Sequence, residues 1–420
     1  MNWQGIRNIT PMQAGLFLAL LIVVFLPNYG IRKYGPSPAV PALLLCFLGM
    51  WWVFRERLAL WRDTAQRRWL VVFLLLWVPV AISVPESLDK RESLSILGVL
   101  LLYFFTGAAL LRALRTPEAR TWLIAWVGFV LLFWLADGLV QFFFGSDFFG
   151  VNLSKKGRIL GPFRGNTHFA VLLAILLPLL VHYFLGRRPW MAILAFSVGA
   201  VVAILVGSRA VMVYLAISGT GLFLRLPGAR AKWMVVVAVV VVAVTAWVSS
   251  PVLRERAERL EALSAPTFES MDKLMSGRVS IWSNAMRMTA DRPLTGVGAG
   301  AYQEAYAQYA DPETDRFLKK NRRAFHAHQL YFGVAAETGL TGLAALVAIF
   351  VLAVVWVRKA TPAQRLQAWP FSMGLLVYAF PINSQPPLYT QWLFPVLVLL
   401  LCGLLAALDD PADTSTASRL

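Results

Sequence analysis

The sequence predicts an all-α polytopic membrane protein with about twelve transmembrane helices and one large helical segment outside the bilayer. Three observations predict it. Apolar residues make up 58% of the chain and charged residues only 15%, a balance that a soluble core does not absorb. Apolar runs of about 18 residues recur along most of the length, enough for each to cross the hydrocarbon layer. Residues 250–328 lack such a run, and half of the four histidines, His326 and His328, stand at its end.

The apolar segments fall at 13–27, 38–54, 68–84, 93–111, 120–144, 168–185, 190–207, 210–224, 233–249, 329–357, 369–383 and 390–408. They divide the chain into residues 1–249 with nine spans and short loops, an outer helical segment at 250–328, and residues 329–420 with three spans and a short tail. No small-residue cleavage site follows the first run, so it reads as a span and not as a cleaved signal. Cys46 and Cys402 lie inside apolar runs far apart and read as small buried hydrophobes.

The net charge of +17 is first a topology signal and does not imply nucleic-acid binding. With the N-terminus inside, the cytoplasmic segments hold eighteen Lys and Arg and the short outer loops hold nine. Both termini are therefore expected inside and residues 250–328 outside. Against that bias, Lys155, Lys156, Arg158 and Arg164 crowd one outer loop. Arg209 stands at the tight turn between the seventh and eighth runs. A cation so near hydrocarbon is costly. It reads either as a snorkelling headgroup anchor or as part of an anion site at the bundle mouth. Asp137, inside the fifth run, is a candidate partner for such a cation and reads more readily as a polar contact between helices.

Within the outer segment, 252–263 carries Leu253, Ala257 and Leu260 on one stripe and predicts an amphipathic surface helix. A second helix is expected from Ser276 as N-cap, with Val279, Trp282 and Met286 at helical spacing, stopping at Pro293. Arg278 then falls in its first turn, where a cation and free N–H groups together suit a phosphate. The run Gly296-Val-Gly-Ala-Gly300 follows a helix and not a strand, which removes a dinucleotide or P-loop reading and leaves a flexible turn. His326 and His328, two apart, would face different sides of a helix, and no carboxylate pair completes a metal set. One histidine acting as general base or hydrogen-bond donor is the better reading.

Ser276-Gly-Arg278 with Trp282, then Pro293-Leu-Thr-Gly-Val-Gly-Ala-Gly300, then His328-Gln329 with Gly339-Leu-Thr-Gly342, resemble the O-antigen ligase family. Upstream, Gly161-Pro-Phe-Arg-Gly-Asn166 and Gly207-Ser-Arg209-Ala210 extend the resemblance. His328 fits the family spacing and His326 does not. The resemblance implies an inverting GT-C-like glycosyltransferase of the inner membrane, active on the periplasmic face without cofactor or metal. Its donor would be O-antigen glycan on undecaprenyl diphosphate and its acceptor lipid A–core. Arg209 and Arg278 would hold the diphosphate, with Arg164, Arg158, Lys155 and Lys156 as further donor or lipid A phosphate contacts. His328 would orient or deprotonate the acceptor hydroxyl. Three rivals stand beside this reading: an O-antigen polymerase, a protein O-oligosaccharyltransferase, and a transporter or flippase. A polymerase commonly has two large outer loops, and a protein transferase tends to be longer; a transporter predicts polar residues near the midplane.

The topology has a direct test. In a cysteine-free background, a cysteine replacing Ser270 should react with an impermeant reagent applied from outside, and one replacing Arg62 should not. The reverse labelling inverts the topology.

Overall fold

The computed structural model describes residues 10–27, 37–55, 63–154, 157–163, 168–207, 210–226, 228–249, 271–272, 275, 277–313, 315, 317–318, 324–382, 387–389 and 393–409. Among them the chain forms fourteen α-helices and no β-strand. These are α1 (Pro11–Val24), α2 (Ala39–Arg55), α3 (Thr64–Ser83), α4 (Lys90–Ala113), α5 (Pro117–Phe144), α6 (His168–Leu185), α7 (Pro189–Leu205), α8 (Ala210–Arg225) and α9 (Ala229–Ser249). Then follow α10 (Arg278–Asp291), α11 (Tyr302–Tyr309), α12 (Leu330–Lys359), α13 (Pro362–Ala379) and α14 (Phe394–Leu408). All but α10 and α11 fall on the apolar segments. The predicted amphipathic helix at 252–263 lies outside the described residues.

Several helices start earlier than their apolar runs because polar caps fix their ends. The Asp63 carboxylate accepts the Gln66 N–H at 3.1 Å and starts α3. Thr361 and Gln364 form a reciprocal capping box that starts α13 well before the apolar stretch. Helices α3, α4, α5, α6 and α12 are long and apolar enough to cross a membrane, and α1, α2, α7, α8 and α14 are shorter apolar helices. The chain is a multi-pass membrane protein.

The bundle is apolar throughout. Helix α14 is buried along its whole length, and α6 on nearly all of its sides. Helices α5, α7, α8 and α13 surround α6, and α3, α4 and α13 surround α14. The periphery turns large apolar side chains outward, such as Phe54 and Phe144 at 71% and 79% exposure. In water such faces would be a liability, whereas in lipid they are the expected surface. Polar ties between helices include two to backbone carbonyls: Trp69 donates to the Phe104 carbonyl at 2.9 Å and Thr106 to that of Ala42 at 3.1 Å. Arg120, fully buried, donates to the carbonyls of Leu114, Arg115 and Ala406. It thereby joins the C-terminal ends of α4 and α14, where the helix dipoles favour a cation.

At the opposite end, α10 and α11 build a second, smaller core around Ile281, Met288, Tyr302 and Tyr306. This core is fixed to the bundle by backbone. Helix α12 breaks at Gly339 (φ 68, ψ −168), and residues 293–300 pair with the break. Leu340 N–H donates to the Pro293 carbonyl at 2.7 Å, Val297 N–H to Ala336 at 2.8 Å, and Gly298 N–H to Glu337 at 3.0 Å. The other side of the same loop meets the α3–α4 connection: Leu88 N–H donates to Val297 at 2.9 Å, and Ser93 Oγ to Ala299 at 2.7 Å. The glycine run expected to be a flexible turn is therefore a fixed seam. A Cβ on Gly296 would lie 2.5 Å from the Ala336 oxygen, and one on Gly339 would lie 2.5 Å from the Leu294 carbonyl carbon. The glycines admit backbone to backbone.

Gly339→Ala should therefore destabilise the protein by at least about 2 kcal/mol, since an L side chain at positive φ and a backbone overlap act together. Gly98→Ala, with open space around its Cβ within α4, should be neutral or stabilising by up to about 1 kcal/mol. Thermal unfolding in detergent separates the two, and equal effects would show that the seam is not a structural constraint.

Candidate functional site

Helix α10 begins at Arg278 with Gly277 as N-cap and no side-chain cap from that residue. This corrects the expected start at Ser276. The cap comes from upstream instead: the buried Asp272 carboxylate accepts the Ser280 N–H at 2.8 Å, and its carbonyl accepts Gly277 N–H at 2.7 Å. One of the N–H groups expected to be free for phosphate is thus already taken by a carboxylate. The helix stops at Asp291, just before Pro293.

Arg278 and Trp282 lie one turn apart on the same face of α10. Trp282 donates from its indole N–H to the Ala327 carbonyl at 3.1 Å, and its ring packs 5.7 Å from that of Phe332. That grip holds the turn 326–328 beside Arg278. The incoming chain is held by a buried carboxylate. Asp315 accepts from Tyr306 OH at 2.7 Å, from Asn284 Nδ2 at 3.1 Å, and from the N–H groups of Phe317 and Leu318.

The turn itself differs from expectation. His326 and His328 are not on a helix. His328 takes a positive φ of 53, a left-handed conformation that costs a non-glycine residue on the order of 1 kcal/mol. The two rings then meet at 3.9 Å between centroids, and the His328 N–H donates to His326 Nδ1 at 3.1 Å. The cap of α12 is Gln329, whose side-chain oxygen accepts Phe332 N–H at 2.6 Å while its amide donates to the Pro381 carbonyl at 3.0 Å. His328 is thereby free of the capping role that a histidine at a helix start often has. His326 is a fixed acceptor, and its bond requires the neutral tautomer with the proton on Nε2.

Electrostatics keep both rings neutral. Burial, and after it the Arg278 charge, lower His328 from the usual 6.5 to about 4. Burial lowers His326 to about 3, followed by the charges of His328, His168 and Arg278. His168, the first residue of α6, thus joins the group, and sequence reasoning missed it. Its signal was its place two residues beyond Gly161-Pro-Phe-Arg-Gly-Asn166, obscured because it opens an apolar span. Among the described residues no three His, Cys, Asp or Glu side chains are grouped to hold a metal.

Of the other expected residues, Arg158 lies half-buried with its guanidinium over the α7–α8 turn, where a Cβ on Gly207 would come within 2.9 Å of its Nε. The loop carrying it is held by Gln141, which accepts the N–H groups of Leu160 and Gly161 at 2.7 and 2.8 Å. Asp137 does not tie two helices together as expected. Its carboxylate accepts Phe148 N–H at 2.9 Å, within the loop that follows its own helix. Arg209, Arg164, Lys155 and Lys156 lie outside the described residues.

Residues 194–347 match the model of a family described as O-Antigen ligase. The matched segment includes Arg209, Arg278, His326 and His328 and excludes the basic loop at 155–164. A curated relative, the exopolysaccharide production protein ExoQ of Rhizobium meliloti (strain 1021), is 32% identical over 82 residues. That alignment spans 20% of this chain and 19% of the relative. The motif resemblance is thus supported over the segment that carries the seam, α10 and the histidine turn.

The depressed histidines give a signed pH prediction. A histidine held below its unfolded value near 6.5 leaves stability constant above that pH and removes it as pH falls from 6.5 towards 4. Thermal unfolding midpoints should follow that course, and the fall should shrink in a His326→Asn/His328→Asn double variant. An unchanged slope would place the titrating groups elsewhere.

Proposed function

We propose that this protein is an O-antigen ligase. It would transfer O-antigen glycan from undecaprenyl diphosphate to a sugar hydroxyl of lipid A–core on the outer face of the bacterial inner membrane. The observation that carries the reading is Arg278 and the His326–His328 turn held together by Trp282 inside the family-matched segment. The acceptor hydroxyl attacks the anomeric carbon, the bond from that carbon to the diphosphate breaks with inversion, and the hydroxyl proton passes to His328. Arg278 and Arg209 receive the charge that develops on the departing diphosphate, a task suited to bidentate guanidinium groups. Arg158, with Arg164, Lys155 and Lys156, supplies further phosphate contacts. A bound diphosphate offsets the Arg278 field that depresses His328, so base strength rises when the donor is in place. His326 positions His328 through the backbone and takes no proton.

Chain polymerisation on the same donor is the second reading, favoured by a relative whose name assigns it to exopolysaccharide production. Both readings place the two substrates at one site, and the acceptor distinguishes them.

The test is a purified-protein assay with lipid-linked glycan, with and without lipid A–core. Product on lipid A–core, retained in excess EDTA, is the expected result. Longer glycan on the donor lipid without any lipid A product would support polymerisation, and activity that EDTA removes and Mg²⁺ restores would refute the arginine mechanism. His328→Ala and Arg278→Ala should each lose about a hundredfold or more in rate. Arg278→Lys should recover little of it, because a point charge lacks the fork. His326→Ala should lose about five- to tenfold through one missing hydrogen bond. His326→Asn, whose side-chain oxygen can accept the same N–H, should be close to the parent.

A further inference from the structure

Two carboxylates are buried together where α5 ends. Asp137 is fully buried and Asp147 is 5% exposed. Phe148 N–H, donated to Asp137 Oδ1 at 2.9 Å, sets the peptide that follows Asp147 directly on the Asp137 carboxylate. The two carboxylates are close enough for their charges to act on each other. Asp147 is held by its own Oδ1, which accepts the N–H groups of Phe149 and Val151 at 2.9 and 2.7 Å. The second oxygen of each, Oδ2, is buried and accepts no hydrogen bond. No ion pair joins either carboxylate to a described Lys, Arg or His. The rings of Phe148 and Phe149 pack on Phe133, one turn before Asp137, at 5.9 and 6.3 Å, which walls this side of the pair with apolar surface.

A buried acceptor without a partner is costly, and two like charges side by side add to the cost. A proton shared by the pair does not remove it, because no hydrogen bond joins the two side chains. Protonating one would leave a buried hydroxyl without an acceptor next to a buried anion. A divalent cation satisfies both oxygens and neutralises both charges. The two side chains offer only oxygen, with no His or Cys, which selects a hard cation over zinc and its neighbours. Ca²⁺ suits ligands split between a helix and a loop, since it takes about six to eight oxygens in variable geometry and fills its shell with carbonyls and water. Mg²⁺ holds to a strict octahedron and fits such a set less well.

We propose that Asp137 and Asp147 bind one Ca²⁺ through their Oδ2 atoms, at the root of the loop that carries Arg158. The ion locks the turn 147–150 onto α5. From there the chain runs through Val151, whose carbonyl accepts Gln141 Nε2 at 2.8 Å, towards Arg158. Neither carboxylate belongs to α10 or the histidine turn, so the ion fixes a loop and takes no part in displacing the diphosphate. Glycan transfer in EDTA is therefore expected to persist below the lowered melting point. The site rests on the two carboxylates and not on the ligase reading.

The test uses the purified full chain in detergent, stripped with EDTA and moved to chelator-free buffer, with no lipid-linked substrate. Millimolar Ca²⁺ should raise the thermal midpoint by about 3 °C or more, and equimolar Mg²⁺ should raise it less. Tb³⁺, an oxygen-preferring surrogate for Ca²⁺, should give emission excited through Trp134, one turn before Asp137, and Ca²⁺ should displace it. Asp137→Asn and Asp147→Asn keep the size and the Oδ1 acceptor of each residue, and each should weaken Ca²⁺ about tenfold or more. In EDTA the order reverses: the parent, with two adjacent charges, should melt no higher than either Asn variant. Glu313→Gln, which removes an exposed carboxylate of the outer segment, should behave as the parent in every condition. No Ca²⁺ shift in the parent, or an undiminished shift in both Asn variants, would overturn the site, and an equal shift from Mg²⁺ would overturn the choice of Ca²⁺. Ca²⁺ binding by a protein that transfers no glycan would count against the ligase reading alone, and transfer by a protein indifferent to Ca²⁺ would count against the site alone.

Discussion

The arrangement of the site depends on the seam between residues 293–300 and the break in α12. A helix interrupted by one residue at positive φ leaves N–H and C=O groups on both sides without helical partners, and such groups near a membrane are expensive to leave unpaired. Here the loop supplies those partners, from the Pro293 carbonyl on one side and the Val297 and Gly298 N–H groups on the other. The same loop pairs in turn with the α3–α4 connection. Two sequence motifs that stand 39 residues apart at Gly300 and Gly339 are thus the two halves of one structural joint.

The joint has consequences for the site because α10 leads into the loop and α12 leads out of the histidine turn. Fixing the loop on α12 sets how α10 lies across the start of α12, and Trp282 can then reach the Ala327 carbonyl. Arg278, one turn earlier on the same face, is brought to the histidines by the same geometry. Burial is the larger reason that both imidazoles are held neutral, and the cation beside them acts in the same direction. The strained φ at His328 persists because its neighbours over-determine it: a backbone bond to His326 before it and a capped helix after it.

The membrane spans were legible in the sequence because their signal is length and apolarity, which tertiary contacts do not override. Their ends were less so, since caps such as Asp63 and Thr361 lie in polar flanks. Arg278, Trp282 and His328 were visible as motif residues, but their assembly was not. Spacing alone treated His326 and His328 as helical and separated them, whereas a single positive φ brings the rings into contact. The glycine run read as flexible because sequence shows what glycine permits and not what approaches it. His168 and Asp272 act from α6 and from upstream of α10: the apolar span that His168 opens obscured its place beside the upstream motif, and nothing local marks Asp272.

Gln329 shows how narrowly one position can be specified by two unrelated demands. Its oxygen must accept the Phe332 N–H to start α12, and its nitrogen must donate to the Pro381 carbonyl beyond α13. A carboxylate of the same length could cap but could not donate, and a hydroxyl residue could cap but could not reach. An amide does both, and in doing so ties the start of α12 to the end of α13 at the point where the histidine turn arrives. The residue beside His328 thus takes over the capping, and the imidazole is left without that role.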